Sequence, residues 1–167
     1  MKSIRFSGLL LFLVIMITVQ LQHGLQASRS ATQNQSENLE AARADMEEGI
    51  KHLLVAQVEA WNRGDLEGFM AGYWNSPDLT FYSGGLVVSG WSPTLERYRN
   101  RYQSEGREMG KLDFNDLRIE MLGPASAFVR GKFHLKMSSG EQGGLFTLTF
   151  RKLPEGWKII HDHTSTP

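Results

Sequence analysis

Ala125-Ser126-Ala127-Phe128-Val129-Arg130-Gly131-Lys132-Phe133-His134-Leu135-Lys136-Met137 is the stretch that decides the architecture. Its period is two without a break: Ala125, Ala127, Val129, Gly131, Phe133, Leu135 and Met137 share one side, and Ser126, Phe128, Arg130, Lys132, His134 and Lys136 share the other. A strand of this length with one small or apolar face and one charged face is half-buried, and the first face looks inward. On its N-terminal side Gly123-Pro124 is a turn, preceded by Leu117, Ile119 and Met121 alternating with Arg118 and Glu120. Leu112 and Phe114 have the opposite parity, which predicts a bulge or bend near Asn115-Asp116. On its C-terminal side Ser138 to Gly144 reads as a loop, Phe146, Leu148 and Phe150 as the next inward face, and Leu153-Pro154-Glu155-Gly156 as a turn into a last strand, Trp157 to Thr164.

Before Gly110 the period is helical. Met46, Ile50, Leu53, Leu54, Val58 and Trp61 recur every three or four residues, with Glu47, Glu48, Lys51 and Glu59 opposite. Gly64 ends this helix as a C-terminal cap, and Asp65 caps a second, short helix whose apolar face is Leu66, Phe69, Met70 and Tyr73. Two short β-rich runs, Leu79–Ser83 and Leu86–Ser89, flank Gly84-Gly85. Ser92-Pro93 then opens a third helix, with the hydroxyl as cap, and Leu95, Tyr98 and Tyr102 form its buried stripe. Three helices followed by a meander of antiparallel strands make an α+β domain, with the helices on one face of a curved, mainly antiparallel sheet.

The 167 residues hold 18 Lys+Arg, 18 Asp+Glu and no Cys. Zero net charge without a basic block argues against nucleic-acid binding. The missing cysteines exclude disulfides and thiolate metal or redox sites. Lys2 and Arg5 precede the apolar run Leu9–Val19, which is shorter than the roughly 20 apolar residues of a bilayer-spanning helix and leads to the small Ala27. Residues 1–27 are therefore expected to be a cleaved signal peptide, with no stable membrane span afterwards, the alternative being an uncleaved N-terminal anchor; either way the folded part is expected in the periplasm or outside the cell. Its removal takes two basic residues and no acid, leaving 16 basic against 18 acidic. Residues 28–39, almost without apolar side chains, are expected to be a flexible linker, and residues 40–167 the folded domain.

Several segments carry a family resemblance: Trp61-Asn62-Arg63-Gly64-Asp65-Leu66-Glu67-Gly68-Phe69, Gly90-Trp91 before a Pro-started helix, Phe128-Val129-Arg130-Gly131, and the closing Gly156-Trp157-Lys158-Ile159-Ile160-His161-Asp162-His163-Thr164-Ser165. They resemble the nuclear transport factor two-like superfamily, in particular its SnoaL-like and ketosteroid isomerase-like branch. The closing segment is also similar to the end of the calcium/calmodulin-dependent kinase association domain. The resemblance implies a cystatin-like cone of three helices wrapped by a strongly curved sheet, a pocket at its wide end, and homodimerisation through the convex sheet face. It does not imply one activity. Steroid isomerases carry a Tyr on the first helix and a general-base Asp at the end of the first strand. The matching positions here are Gln57 and Ser83, neither of which abstracts a proton near neutral pH.

His161 and His163 are the candidate catalytic residues. In a regular strand they share a side with Trp157 and Ile159, so both imidazoles are expected to face the pocket, with Lys158 and Asp162 toward water. Three readings stay open for them: hydrogen-bonded rim residues, ligand-binding or acid–base groups, and metal ligands, the last lacking a third donor. Trp61, Tyr73, Phe81, Tyr82, Trp91, Tyr98 and Phe133 complete the expected pocket lining, an aromatic cavity for a small hydrophobic molecule. No Gly-rich phosphate loop follows a strand, so no nucleotide cofactor is expected, and no metal. The functional classes are an exported small-molecule-binding protein, a cofactor-independent cyclase, isomerase or dehydratase, and a homo-oligomeric assembly module.

Overall fold

The structure, a computed structural model, describes residues 7–166, in two units, Met1–Ala42 and Arg43–Pro167. In the first unit the described residues belong to helix α1 (Ser7–Asn62). Residues 28–39, expected as a flexible linker, are thus helical, with every side chain exposed. No Pro or Gly interrupts residues 25–48, and hydroxyls bond within the helix, Ser30 Oγ to the Gln26 carbonyl and Thr32 Oγ1 to the Ser28 carbonyl, each at 3.0 Å. The segment Met1–Phe6, with the two charges of the expected export signal, lies outside the described residues. Among the described residues no helix is long and apolar enough to cross a membrane.

The second unit holds α1 from Arg43 onward, α2 (Leu66–Met70), β1 (Thr80–Ser83), β2 (Leu86–Ser89), α3 (Trp91–Tyr102), β3 (Lys111–Gly123), β4 (Ser126–Met137), β5 (Gly140–Leu153) and β6 (Gly156–Ser165). The six strands form one mixed sheet in the order β2-β1-β6-β5-β4-β3. Every neighbouring pair is antiparallel except β1 and β6, which run parallel. The helices meet the sheet in one apolar core, to which Ile50, Leu54, Phe69, Val129, Phe150 and Ile159 contribute.

Local chemistry sets the joints. Gly64, at φ 81°, lets α1 end in a Schellman turn, its N–H donating to the Trp61 carbonyl and the Asp65 N–H to that of Ala60, both at 2.9 Å. Asp65 then caps α2 by accepting from the Gly68 N–H at 2.7 Å. Asn62 clamps the end of α1 to the start of β3, donating to the Leu112 carbonyl at 2.9 Å and accepting from the Leu112 N–H at 2.7 Å. The Trp61 indole N–H donates to the Met109 carbonyl at 2.8 Å. The cap of α3 differs from expectation: Gly90, not Ser92, is the N-cap, without a side-chain bond. Its φ of 95° suits glycine and starts the helix before Ser92 can cap it.

Two of the register shifts in the sheet set which side chains face inward. The one near Asn115-Asp116 is where the parity of β3 predicts it, with Asp116 at φ 52° and a register shift between Asn115 and Arg118. It turns Leu112 and Phe114 inward at one end and Ile119 and Met121 inward at the other. The second lies in β6: Ile159 pairs with Phe150 and His161 with the adjacent Thr149, so Ile160 is the extra residue. Here β6 changes its partner on one edge, from the Gly72–Trp74 segment to β1. The reading of Ser138 to Gly144 as a loop is also corrected, because β5 begins at Gly140 and pairs with β4 from Met137 onward.

Candidate functional site

A cavity of about 100 Å³ opens between α1, α3 and the inner sheet face. That is small beside the roughly 300–1,000 Å³ of sites for drug-sized ligands, so it suits a ring or short chain and not a multi-ring molecule. Five of the expected lining residues, Trp61, Tyr73, Phe81, Tyr98 and Phe133, do line it. The rings pack edge to face, Trp61 against Phe69 at 5.0 Å and Phe69 against Tyr98 at 5.5 Å between centroids. Gln57 and Ser83 also line the cavity. The Gln57 amide nitrogen donates to the Phe69 carbonyl at 3.0 Å. Both positions where a steroid isomerase carries its Tyr and Asp are therefore in the pocket, without those side chains.

Four expected lining residues are not there. Trp91 turns its indole N–H to the Met70 carbonyl at 2.9 Å and ties α3 to the end of α2. Tyr82, His161 and His163 lie on the outer face of the sheet. The Ile160 bulge is the cause: it inverts the parity of β6, so Trp157 and Ile159 point inward before it and Asp162 and Thr164 after it. The expectation that both imidazoles face the pocket and that Asp162 faces water is reversed. His163 is exposed, and His161 shares a 2.6 Å hydrogen bond between Nδ1 and Thr80 Oγ1. Tyr82 sets its ring 4.9 Å from that of His161 and 6.2 Å from that of His163. Burial and then the neighbouring His163 hold the His161 pKa below the usual imidazole value. No group of three metal-ligating side chains exists among the described residues.

Asp162 is the polar centre that the alternation hides. It is 3% exposed, and its two oxygens are held separately, Oδ2 by the Tyr73 hydroxyl at 2.7 Å and Oδ1 by the Thr164 hydroxyl at 2.9 Å. Burial pushes its carboxyl up to about 6, although both hydrogen bonds and the His163 charge pull the other way. Burial, with the Asp162 charge next, keeps the Tyr73 and Tyr98 protons on their oxygens well above the usual phenol range. Tyr73 and Asp162 form a hydrogen-bonded pair, and Tyr98 lines the same cavity beside them. Such a carboxyl can donate a hydrogen bond to a ligand oxygen below its pKa and accept a proton above it, near neutral pH. Arg97 and Arg101 of α3 also line the cavity, a feature that the stripe reading of this helix did not use.

Residues 50–167 match the SnoaL-like domain. The chain belongs to the SnoaL-like domain family. Solved structures agree. A nuclear transport factor two-like protein of unknown function from Shewanella oneidensis is 38% identical, with 71% of this chain and 98% of that one covered and a TM-score of 0.67. A nuclear transport factor two-like superfamily protein from Salmonella enterica (18% identity, 75% and 93% covered, TM-score 0.65) and a cystatin-like fold protein of unknown function from Nostoc punctiforme (12%, 72% and 90%, 0.61) share the fold. No curated protein matches the chain. A SnoaL-like domain with this cavity fits ligand binding or isomerase-type chemistry.

The raised Asp162 pKa gives a pH prediction. Between the unfolded carboxyl value near 3.8 and the folded value of about 6 the native state binds more protons, so its stability is highest below about pH 4 on this account and falls as pH rises through 6. The loss is on the order of 1–3 kcal/mol. In Asp162→Asn, which keeps the shape and cannot ionise, urea unfolding between pH 4 and 7.5 is expected to lose that slope. An unchanged slope would show that Asp162 is ionised throughout.

Proposed function

We propose that this SnoaL-like protein binds a small, mostly apolar molecule carrying a hydroxyl or carbonyl oxygen, seated among Trp61, Phe69, Tyr98 and Phe133 with its oxygen on Asp162 and Tyr73. The observation that carries this reading is a buried carboxyl, with a pKa of about 6, in the wall of an aromatic cavity. Burying such a group costs free energy unless it has partners, and a ligand oxygen supplies one more. Benzyl alcohol is expected to shift the NMR signal of the Trp61 indole N–H in a saturable way. Ser83→Phe, which fills part of the cavity, is expected to weaken that binding about tenfold or more, whereas His161→Ala, on the outer face, leaves it unchanged. Equal binding by Ser83→Phe would mean that the molecule sits elsewhere.

Proton transfer on the bound molecule is the second reading, favoured by the same carboxyl. It replaces the histidine-based scheme, because the histidines lie outside the pocket. Any turnover found is expected to follow a kcat/KM profile that inflects near the Asp162 value of about 6, and to fall about 10²-fold or more in Asp162→Asn. Activity that survives this substitution would leave Asp162 a binding group only.

The proposal includes export through residues 1–27 and a homodimer through the outer sheet face. What supports the dimer is the pair of aromatic side chains that a second copy would cover there, half-buried Phe128 and Tyr82, which is 38% exposed. The charges around Phe128 pair within the chain, Arg130 with Glu120 at 3.4 Å and Lys132 with Asp116 at 2.7 Å. Sedimentation equilibrium is expected to give a dimer for the wild-type protein and a monomer for Phe128→Glu. A wild-type monomer at high micromolar concentration would remove the dimer from the proposal.

A further inference from the structure

We propose that the molecule taken by this pocket is a small organic acid, whose carboxylate is bound at the cavity mouth by Arg97 and Arg101. This inference rests on the pocket reading above and adds the chemical class of the ligand.

The two residues stand one helical turn apart on α3 and face the same way, toward the cavity that both line. Each guanidinium lies over an aromatic ring of the cavity wall: Arg97 Cζ is 5.6 Å from the centroid of Phe81, and Arg101 Cζ is 5.5 Å from that of Tyr102. Stacking of this kind holds the planar group in place without neutralising it. Arg101 Nε donates to the Tyr102 hydroxyl at 3.0 Å, which leaves its terminal nitrogens for another acceptor.

On the sheet Arg130, Lys132 and Lys136 have a carboxylate beside them, as do Arg43 and Lys51 of the first helix. On α3 itself Arg99, facing away from the cavity, pairs with Glu67 at 2.6 Å. Among the described residues neither Arg97 nor Arg101 has such a partner. Asp162, the carboxyl of the same cavity, forms no ion pair with either of them among the described residues. Two positioned and uncompensated guanidiniums at the mouth of an apolar cavity match a carboxylate head on an apolar body, because the guanidinium fork fits the two carboxylate oxygens. The cavity volume of about 100 Å³ limits that body to a single ring or a short chain.

The test compares matched acids and alcohols at pH 7 by NMR titration: benzoate with benzyl alcohol, and hexanoate with 1-hexanol. The wild-type protein is expected to bind each acid about tenfold or more tightly than its alcohol, the size of one charge-assisted hydrogen bond. In R97Q/R101Q the preference is expected to vanish while alcohol binding stays, and R97K/R101K, which keeps the charge, retains part of it. Equal binding of acid and alcohol by the wild-type protein, or an acid preference that persists in R97Q/R101Q, would overturn the inference and leave the pocket reading standing. Absence of binding by all four probes would overturn both.

Discussion

Placing one carboxyl inside an aromatic cavity is the constraint around which the second unit is arranged. An isolated buried charge is unfavourable by several kcal/mol, so Asp162 survives only with donors in place. Tyr73 comes from the segment after α2, Thr164 from β6 itself, and each takes a different oxygen. Tyr73 reaches this position because the backbone around it pairs with β6 at Ile159, with the Trp74 N–H donating to the Ile159 carbonyl at 2.9 Å and the Ile159 N–H to that of Gly72 at 3.0 Å. Gly72 has no room for a side chain, since a Cβ there would meet the Gln57 amide at 2.8 Å. The helix end, the bridge and the bulge together bring one phenol to one carboxyl.

The same bulge divides β6 into two chemistries. Before it, Trp157 and Ile159 belong to the apolar core. After it, the inner face carries Asp162 and Thr164, and the outer face the two imidazoles with Tyr82. Burial is the largest influence on the Asp162 carboxyl and raises its pKa, against the Tyr73 and Thr164 hydrogen bonds and, last, the His163 charge, all of which lower it. Desolvation wins this contest because its carboxyl is almost fully enclosed, whereas His163 is exposed and its charge is screened by water.

Sequence periodicity made the architecture legible where alternation is unbroken. The thirteen residues from Ala125 to Met137 place their inner and outer faces correctly, and the shift between Phe114 and Leu117 marks the β3 bulge because apolar residues stand on both sides of it. The family and the mixed α+β fold followed from the helix caps at Gly64 and Asp65 and from the closing strand. The site was less legible, for a physical reason. The β6 bulge falls between Ile159 and His161, where Ile160 is apolar and the residues after it are polar on both faces, so alternation carries no sign of the slip. Likewise Arg97 and Arg101 flank Tyr98 on α3, and a stripe defined by apolar residues alone passes over them.

Shared fold and shared chemistry separate at identifiable positions in this chain. Gln57 and Ser83 occupy cavity positions where a steroid isomerase has its phenol and its base, yet the cavity is not without an acid. Its acid comes from β6, the strand parallel to β1, where Ser83 is in register with Thr164. Its phenol is Tyr73, after the second helix, while the first helix carries Gln57. The two groups lie within hydrogen-bonding distance of each other at 2.7 Å. A phenol that donates to its own carboxyl places both polar groups at one point of the cavity wall. The arrangement here therefore gathers its buried polar groups at one point of the cavity and leaves the two guanidiniums elsewhere on its wall, a division that matches the proposed ligand, an apolar body with a charged head.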